Sequence, residues 1–155
     1  MDNQKSTQDI PVICDLDLTR YLGKWYEIAR LPHKFEDGLE NVTATYRLQD
    51  DGKIEVLNEG IKDGESKKAK GVAWVPDSNC TGRLFVRFFW PFKSEYKVIQ
   101  LDEKDYTYAV VTSRTKDYLW ILSREPHISD ELYEDLITYV SSLGFDRSKI
   151  INVKQ

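Results

Sequence analysis

Glu27 is the carboxylate of this chain that most invites a chemical role. It lies in the strand-like run Trp25-Tyr26-Glu27-Ile28-Ala29, where it shares a face with Trp25 and Ala29. A carboxyl turned inward on such a strand needs a partner, and it reads as hydrogen-bonded to tyrosines or water, not as a catalyst. His33 and His127 each stand beside a proline in connecting segments, so no Ser–His–Asp or Cys–His set takes shape. The His and Cys spacings do not match a zinc site, and no glycine loop is present to cradle phosphate. The chain therefore reads as a binding protein and not an enzyme, with no cofactor and no metal implied. Trp25 and Arg124 have a plainer role, because a guanidinium across an indole face contributes about 0.5–2 kcal/mol.

These residues sit in a succession of short strands. The expected runs are Trp25–Leu31, Val42–Gln49, Ile54–Ile61, Ala69–Val75, Leu84–Trp90, Tyr96–Leu101, Tyr106–Thr112 and Tyr118–Arg124. Turn signals separate them, including Asp50-Asp51-Gly52, Lys62-Asp63-Gly64 and Asp77-Ser78-Asn79. Strands at this spacing, with no helix between them, form a sandwich or an up-and-down barrel. Closing the sheet removes both edges, and eight strands enclose just enough room for side chains or one small ligand. A helix is expected over Ser129–Leu143: Ser129 is a natural N-cap, Asp130 and Glu131 charge the first turn, and Gly144 follows the last. Its apolar stripe (Ile128, Leu132, Leu136, Val140, Leu143) must be buried on the outside of the sheet. Ile150–Val153 reads as a short ninth strand.

Strand parity gives the inward faces. Trp25, Glu27, Ala29 and Leu31 share one face, as do Val42, Ala44 and Tyr46; Ile54, Val56 and Asn58 form the third set. Gly71 and Ala73 are small and leave volume that a packed core would not tolerate. Leu84, Val86 and Phe88, then Tyr96 and Val98, then Trp120, complete an apolar wall. These residues either pack together as a core or line a cavity. Phe88-Phe89-Trp90-Pro91-Phe92 is a dense aromatic cluster that marks a ligand entrance, a membrane-surface contact or a partner surface, unless the loops fold over it.

The 155 residues make one ordinary domain, with 1–16 an N-terminal extension and 17–155 a single barrel domain. Hydrophobic content of 41% with 31% charged residues is that of a globular chain. A net charge of −4 argues against a nucleic-acid partner. No apolar run reaches the roughly 18–20 residues of a membrane-spanning helix, and Met1–Pro11 lacks the apolar segment of a secretory leader.

Three motifs then resemble one family. Tyr21-Leu22-Gly23-Lys24-Trp25-Tyr26-Glu27-Ile28-Ala29-Arg30, Val42-Thr43-Ala44-Thr45-Tyr46 and Asp117-Tyr118-Leu119-Trp120-Ile121-Leu122-Ser123-Arg124 occur in the order and at the spacing of the lipocalins. The match is closest to the bacterial outer-membrane lipocalins and the apolipoprotein D-like group. One motif departs: before the seventh strand, in Leu101-Asp102-Glu103-Lys104-Asp105-Tyr106, the acid and tyrosine survive but the threonine does not. The resemblance implies an all-β fold, an eight-stranded antiparallel up-and-down barrel with a C-terminal α-helix packed outside and a short ninth strand. It also implies a calyx for a small hydrophobic ligand, a fatty acid or lysophospholipid, bound for storage or transport. Glu27, Ala29, Leu31, Val42, Ala44, Tyr46, Asn58, Phe88, Tyr96 and Trp120 would contact it, with Trp25 and Arg124 closing the barrel. Arg30 and Lys34 would neutralise an acidic head at the mouth. An enzyme on the same barrel (isomerase or lipid-modifying) and a protein-interaction module using the Phe88–Phe92 rim stay open as alternatives, as does monomer against homodimer. The implied location is the periplasm or outer membrane if a leader precedes this sequence, and the cytoplasm otherwise. In such a barrel Cys14 and Cys80 come to the same end, where they either pair or remain thiols.

Overall fold

The computed structural model describes residues 5–88 and 92–155. Its strands are β1 (Gly23–Arg30), β2 (Glu40–Leu48), β3 (Ile54–Lys62), β4 (Glu65–Trp74), β5 (Arg83–Arg87), β6 (Ser94–Leu101), β7 (Tyr108–Thr112), β8 (Leu119–Ser123) and β9 (Ile151–Asn152). Each of β2 to β7 pairs antiparallel with the next, β8 pairs with β1, and β1 pairs back onto β2. The sheet is therefore a closed eight-stranded barrel with β9 added outside. The alternative of two stacked sheets is excluded.

The helix α2 spans Asp130–Ser142, and the Ser129 side chain accepts a hydrogen bond from Leu132 N as its N-cap. It buries Leu136, Ile137 and Val140 against Ala29, Ile99, Val110 and Ile121 on the outer wall. A second core fills the lower barrel around Trp25, Val98, Leu101, Ala109 and Leu122. A one-turn helix, α1 (Leu18–Tyr21), capped by Asp17, crosses one end and was not foreseen from the sequence.

One irregularity in β1 changes what faces where. Glu27 is opposite Leu122 and Ala29 is opposite Ile121, so Ile28 is an extra residue with no rung of its own. A bulge of this kind reverses the alternation beyond it. Ala29 and Leu31, expected inside, are packed under α2 instead, and Arg30 takes the inward side opposite Trp120. A second bulge in β2 lies between Glu40 and Thr43. Val42 beside it is buried next to Gly60 and does not line the cavity.

β1 also divides its other edge. Gly23–Tyr26 pair with β2, whereas Ala29 and Arg30 pair with β9. Where β1 and β2 part, the Gln155 amide donates to the carbonyls of Glu27 (2.6 Å) and Val42 (3.0 Å).

Candidate functional site: a cavity between two poles

The closed pole is built on Trp25, which is fully buried. Its Nε1 donates to the Tyr21 carbonyl at 2.9 Å, and the Arg124 guanidinium lies 3.8 Å from its ring centre. Arg124 donates to four backbone carbonyls: Tyr106 (3.3 Å), Lys24 (3.0 Å), Arg20 (2.7 Å) and Leu22 (3.0 Å). Three of these come from the α1–β1 segment, so one side chain fastens β8 to the floor. Gly23 is required there: its φ is +101°, and a Cβ would stand 3.3 Å from Arg124 Nη1. The Cys14–Cys80 disulfide ties the N-terminal segment to the β4–β5 turn at this same end. On the chain-entropy account, the 66-residue separation contributes about 4 kcal/mol.

Above the floor is a cavity of about 110 Å³, room for on the order of ten waters. Seven of the residues expected from sequence line it: Glu27, Ala44, Tyr46, Asn58, Phe88, Tyr96 and Trp120. Ile54, Val56, Ala73, Leu84, Val86 and Leu122 supply the apolar wall. Gly71 does not add hollow space as its size implied, because the Phe88 ring fills it; a Cβ there would come within 2.8 Å of that ring. Of the Phe88–Phe92 cluster, Phe88 and Phe92 are described; Phe89, Trp90 and Pro91 lie outside the described residues. Phe92 is 76% exposed.

Besides Asn58, polar groups enter the cavity in two places. Low down, Tyr96 Oη stands 2.7 Å from Tyr21 Oη and 2.8 Å from Tyr46 Oη, a chain of three hydroxyls. Burial pushes all three phenols well up, so they stay neutral donors and acceptors. Tyr21 comes from α1, which strand alternation had no means of finding.

Higher up, Glu27 meets Arg30 and Glu36, and His33 joins them through Glu36. Arg30 Nη1 is 3.4 Å from Glu27 Oε1, Arg30 Nη2 donates to the Glu36 carbonyl at 2.7 Å, and Arg30 Nε is 3.4 Å from Glu36 Oε2. His33 Nε2 is 3.5 Å from the same Glu36 oxygen, and its ring stands edge-on to Trp120 at 5.6 Å. Most of these contacts are longer than a good N–H···O bond. Arg30 Nε, both His33 nitrogens and Glu36 Oε2 are buried without a well-formed hydrogen bond.

Burial, and then the charge of Glu36, hold the Glu27 carboxyl well above the usual carboxylate range. For Glu36, burial pushes the same way, but His33, the Glu27 proton and Arg30 outweigh it and hold Glu36 low. The two carboxyls thus titrate as one coupled pair, Glu27 raised and Glu36 lowered. Arg30 is engaged inside this cluster and is not free to meet a ligand head. Lys34 lies 5.9 Å over the Phe35 ring in the loop, outside the lining. Glu36, Arg30 and His33 were not recognised from sequence as one site; only the loop brings them back onto Glu27.

A closed eight-stranded barrel, plugged at one pole, hollow above, and flanked by one helix, defines a calyx-type carrier of small hydrophobic molecules. The comparisons agree. Residues 16–155 match the lipocalin-like domain, and the chain belongs to the lipocalin family, whose members bind and transport such molecules. It is similar to the outer membrane lipoprotein Blc of Vibrio cholerae, 43% identical over 150 residues, covering 96% of this chain and 88% of that protein. It is also similar to apolipoprotein D of Macaca fascicularis, 33% identical over 147 residues, 90% of this chain and 77% of that one. Among solved structures, insecticyanin of the tobacco hornworm Manduca sexta has the same fold, with a TM-score of 0.77 at 24% identity over 95% of this chain and 85% of that one.

Proposed function

We propose that the cavity holds a single-chain lipid of the fatty-acid or lysophospholipid kind, acyl chain downward and polar end toward the Glu27–Glu36 corner. The observation that carries this reading is a hollow of about 110 Å³ walled chiefly by aliphatic side chains and rings. Each buried methylene contributes about 0.8 kcal/mol, so roughly ten give micromolar-class binding before ordering costs are met. Glu27, Ala44, Tyr46, Asn58, Phe88, Tyr96 and Trp120 would contact the chain. Ala29, Leu31 and Val42 would act behind the wall.

Binding is favoured over catalysis because the Glu27 carboxyl is already engaged by Arg30 and Glu36 and faces no nucleophile. Phe35 and Phe92, with Lys34 and Lys93 beside them, are exposed in the β1–β2 and β5–β6 loops at the open end. That pairing of rings and ammonium groups suits a membrane surface. With relatives that are outer membrane lipoproteins, it supports a place at the periplasmic or outer-membrane interface.

The direct test is to extract the purified protein with organic solvent and identify what is released by mass spectrometry. Near-stoichiometric single-chain lipid is expected. An empty protein that also fails to take up any added lipid would end this reading.

A further inference from the structure

We propose that the polar end of the bound lipid donates hydrogen bonds, as a hydroxyl or an ammonium group does, and is not a carboxylate or phosphate. This rests on the reading that the cavity holds a lipid, and it concerns which lipid. Among the described residues the cavity is lined by two carboxyls, Glu27 and Glu36, and by no lysine, arginine or histidine. A buried anion needs a cation or several donors. The nearby guanidinium of Arg30 already faces Glu27 Oε1, the Glu36 carbonyl and Glu36 Oε2. An anionic head could claim Arg30 only by leaving the glutamates without it, placing another negative charge beside Glu36.

A hydroxyl meets no such conflict. It donates to a glutamate oxygen, which as a carboxylate only accepts, and brings no charge of its own beside Glu36. An ammonium group donates in the same direction and adds charge attraction. Shared donor chemistry also ranks single-chain lipids: a free fatty acid falls below a long-chain alcohol or amine. A lysophospholipid fits by presenting its glycerol hydroxyl to the carboxyls with its phosphate outside.

The test is isothermal titration of the intact protein, stripped of lipid, with lauryl alcohol, laurylamine and laurate at neutral pH. These share one chain and differ only at the end. The alcohol and the amine are expected to bind at least about tenfold more tightly than laurate. Laurate binding as tightly as the alcohol, or more so, overturns this inference and leaves the lipid-carrier reading standing. Failure of all three to bind overturns both. In Glu36→Gln, the ratio of alcohol to laurate affinity is expected to move toward one, and a ratio that does not move counts against the proposal.

Discussion

Two arginines, Arg124 half-buried and Arg30 buried, mark the two poles of this barrel, and they are held in opposite ways. Arg124 lies flat on Trp25 and directs its protons at four carbonyl oxygens, all at 2.7–3.3 Å. Arg30, equally an arginine and more deeply buried, makes one short bond and two contacts at 3.4 Å, and its Nε lacks a well-formed partner. The first arrangement satisfies every nearby acceptor and fixes the floor. The second leaves buried donors and acceptors under-satisfied around a pair of glutamates. Saturated polar networks rigidify a structure, and partly satisfied ones leave room for another participant. The difference separates a saturated plug from an under-satisfied polar corner, the one proposed to meet the ligand.

The largest effect is expected at the plug. Trp25→Ala removes a fully buried ring and is expected to cost about 3–5 kcal/mol in chemical unfolding, with the loss seen with or without lipid. Next, Arg124→Met is expected to cost about 2–4 kcal/mol, because it orphans several carbonyls at once. The matched change at the other pole, Arg30→Met with Glu36→Gln, removes both charges of a buried pair and is expected to stay within about 1 kcal/mol of the parent protein. Urea midpoints for the two variants test the contrast directly. A double variant less stable than Arg124→Met would show that both poles are structural.

The subtlest test is pH. The Glu27 carboxyl is raised on folding, so its stabilising share is whole below the ordinary carboxylate range and is lost as pH rises through its folded value. Glu36 is lowered, so its share is present above that range and is lost as pH falls. Together they favour stability near pH 4–5, roughly where carboxylates ordinarily titrate. Glu27→Gln keeps the neutral form at every pH, and its unfolding midpoint is expected to lose the decline on the alkaline side. An unchanged decline would place the titrating group elsewhere.

How far the residues disclosed this arrangement depends on the range over which each feature is encoded. The strands and α2 follow from local patterns, since alternation and caps are read within a few residues, whereas the Trp25–Arg124 plug follows from the resemblance that pairs an early Gly-x-Trp with a late Ser-Arg. The cavity residues foreseen lie on or beside stretches of regular alternation: Glu27 precedes the bulge in β1, and Ala44 and Tyr46 follow the one in β2. Ala29 and Leu31 went astray because a bulge at Ile28 is set by what β8 and β9 offer across the sheet, and nothing in the run itself marks the extra residue. Tyr21 escaped because a single helical turn shows no period. His33 and Glu36 escaped because a loop's return path is decided by the groups it lands on. Their spacing from Arg30 was visible, but not that all of them would converge on Glu27.

The division of β1 between two neighbours gives the barrel a fault line. Four rungs join β1 to β2, and beyond them this junction is closed by the amide of Gln155. Along that slit a single side-chain amide laces a carbonyl of one strand to a carbonyl of the other.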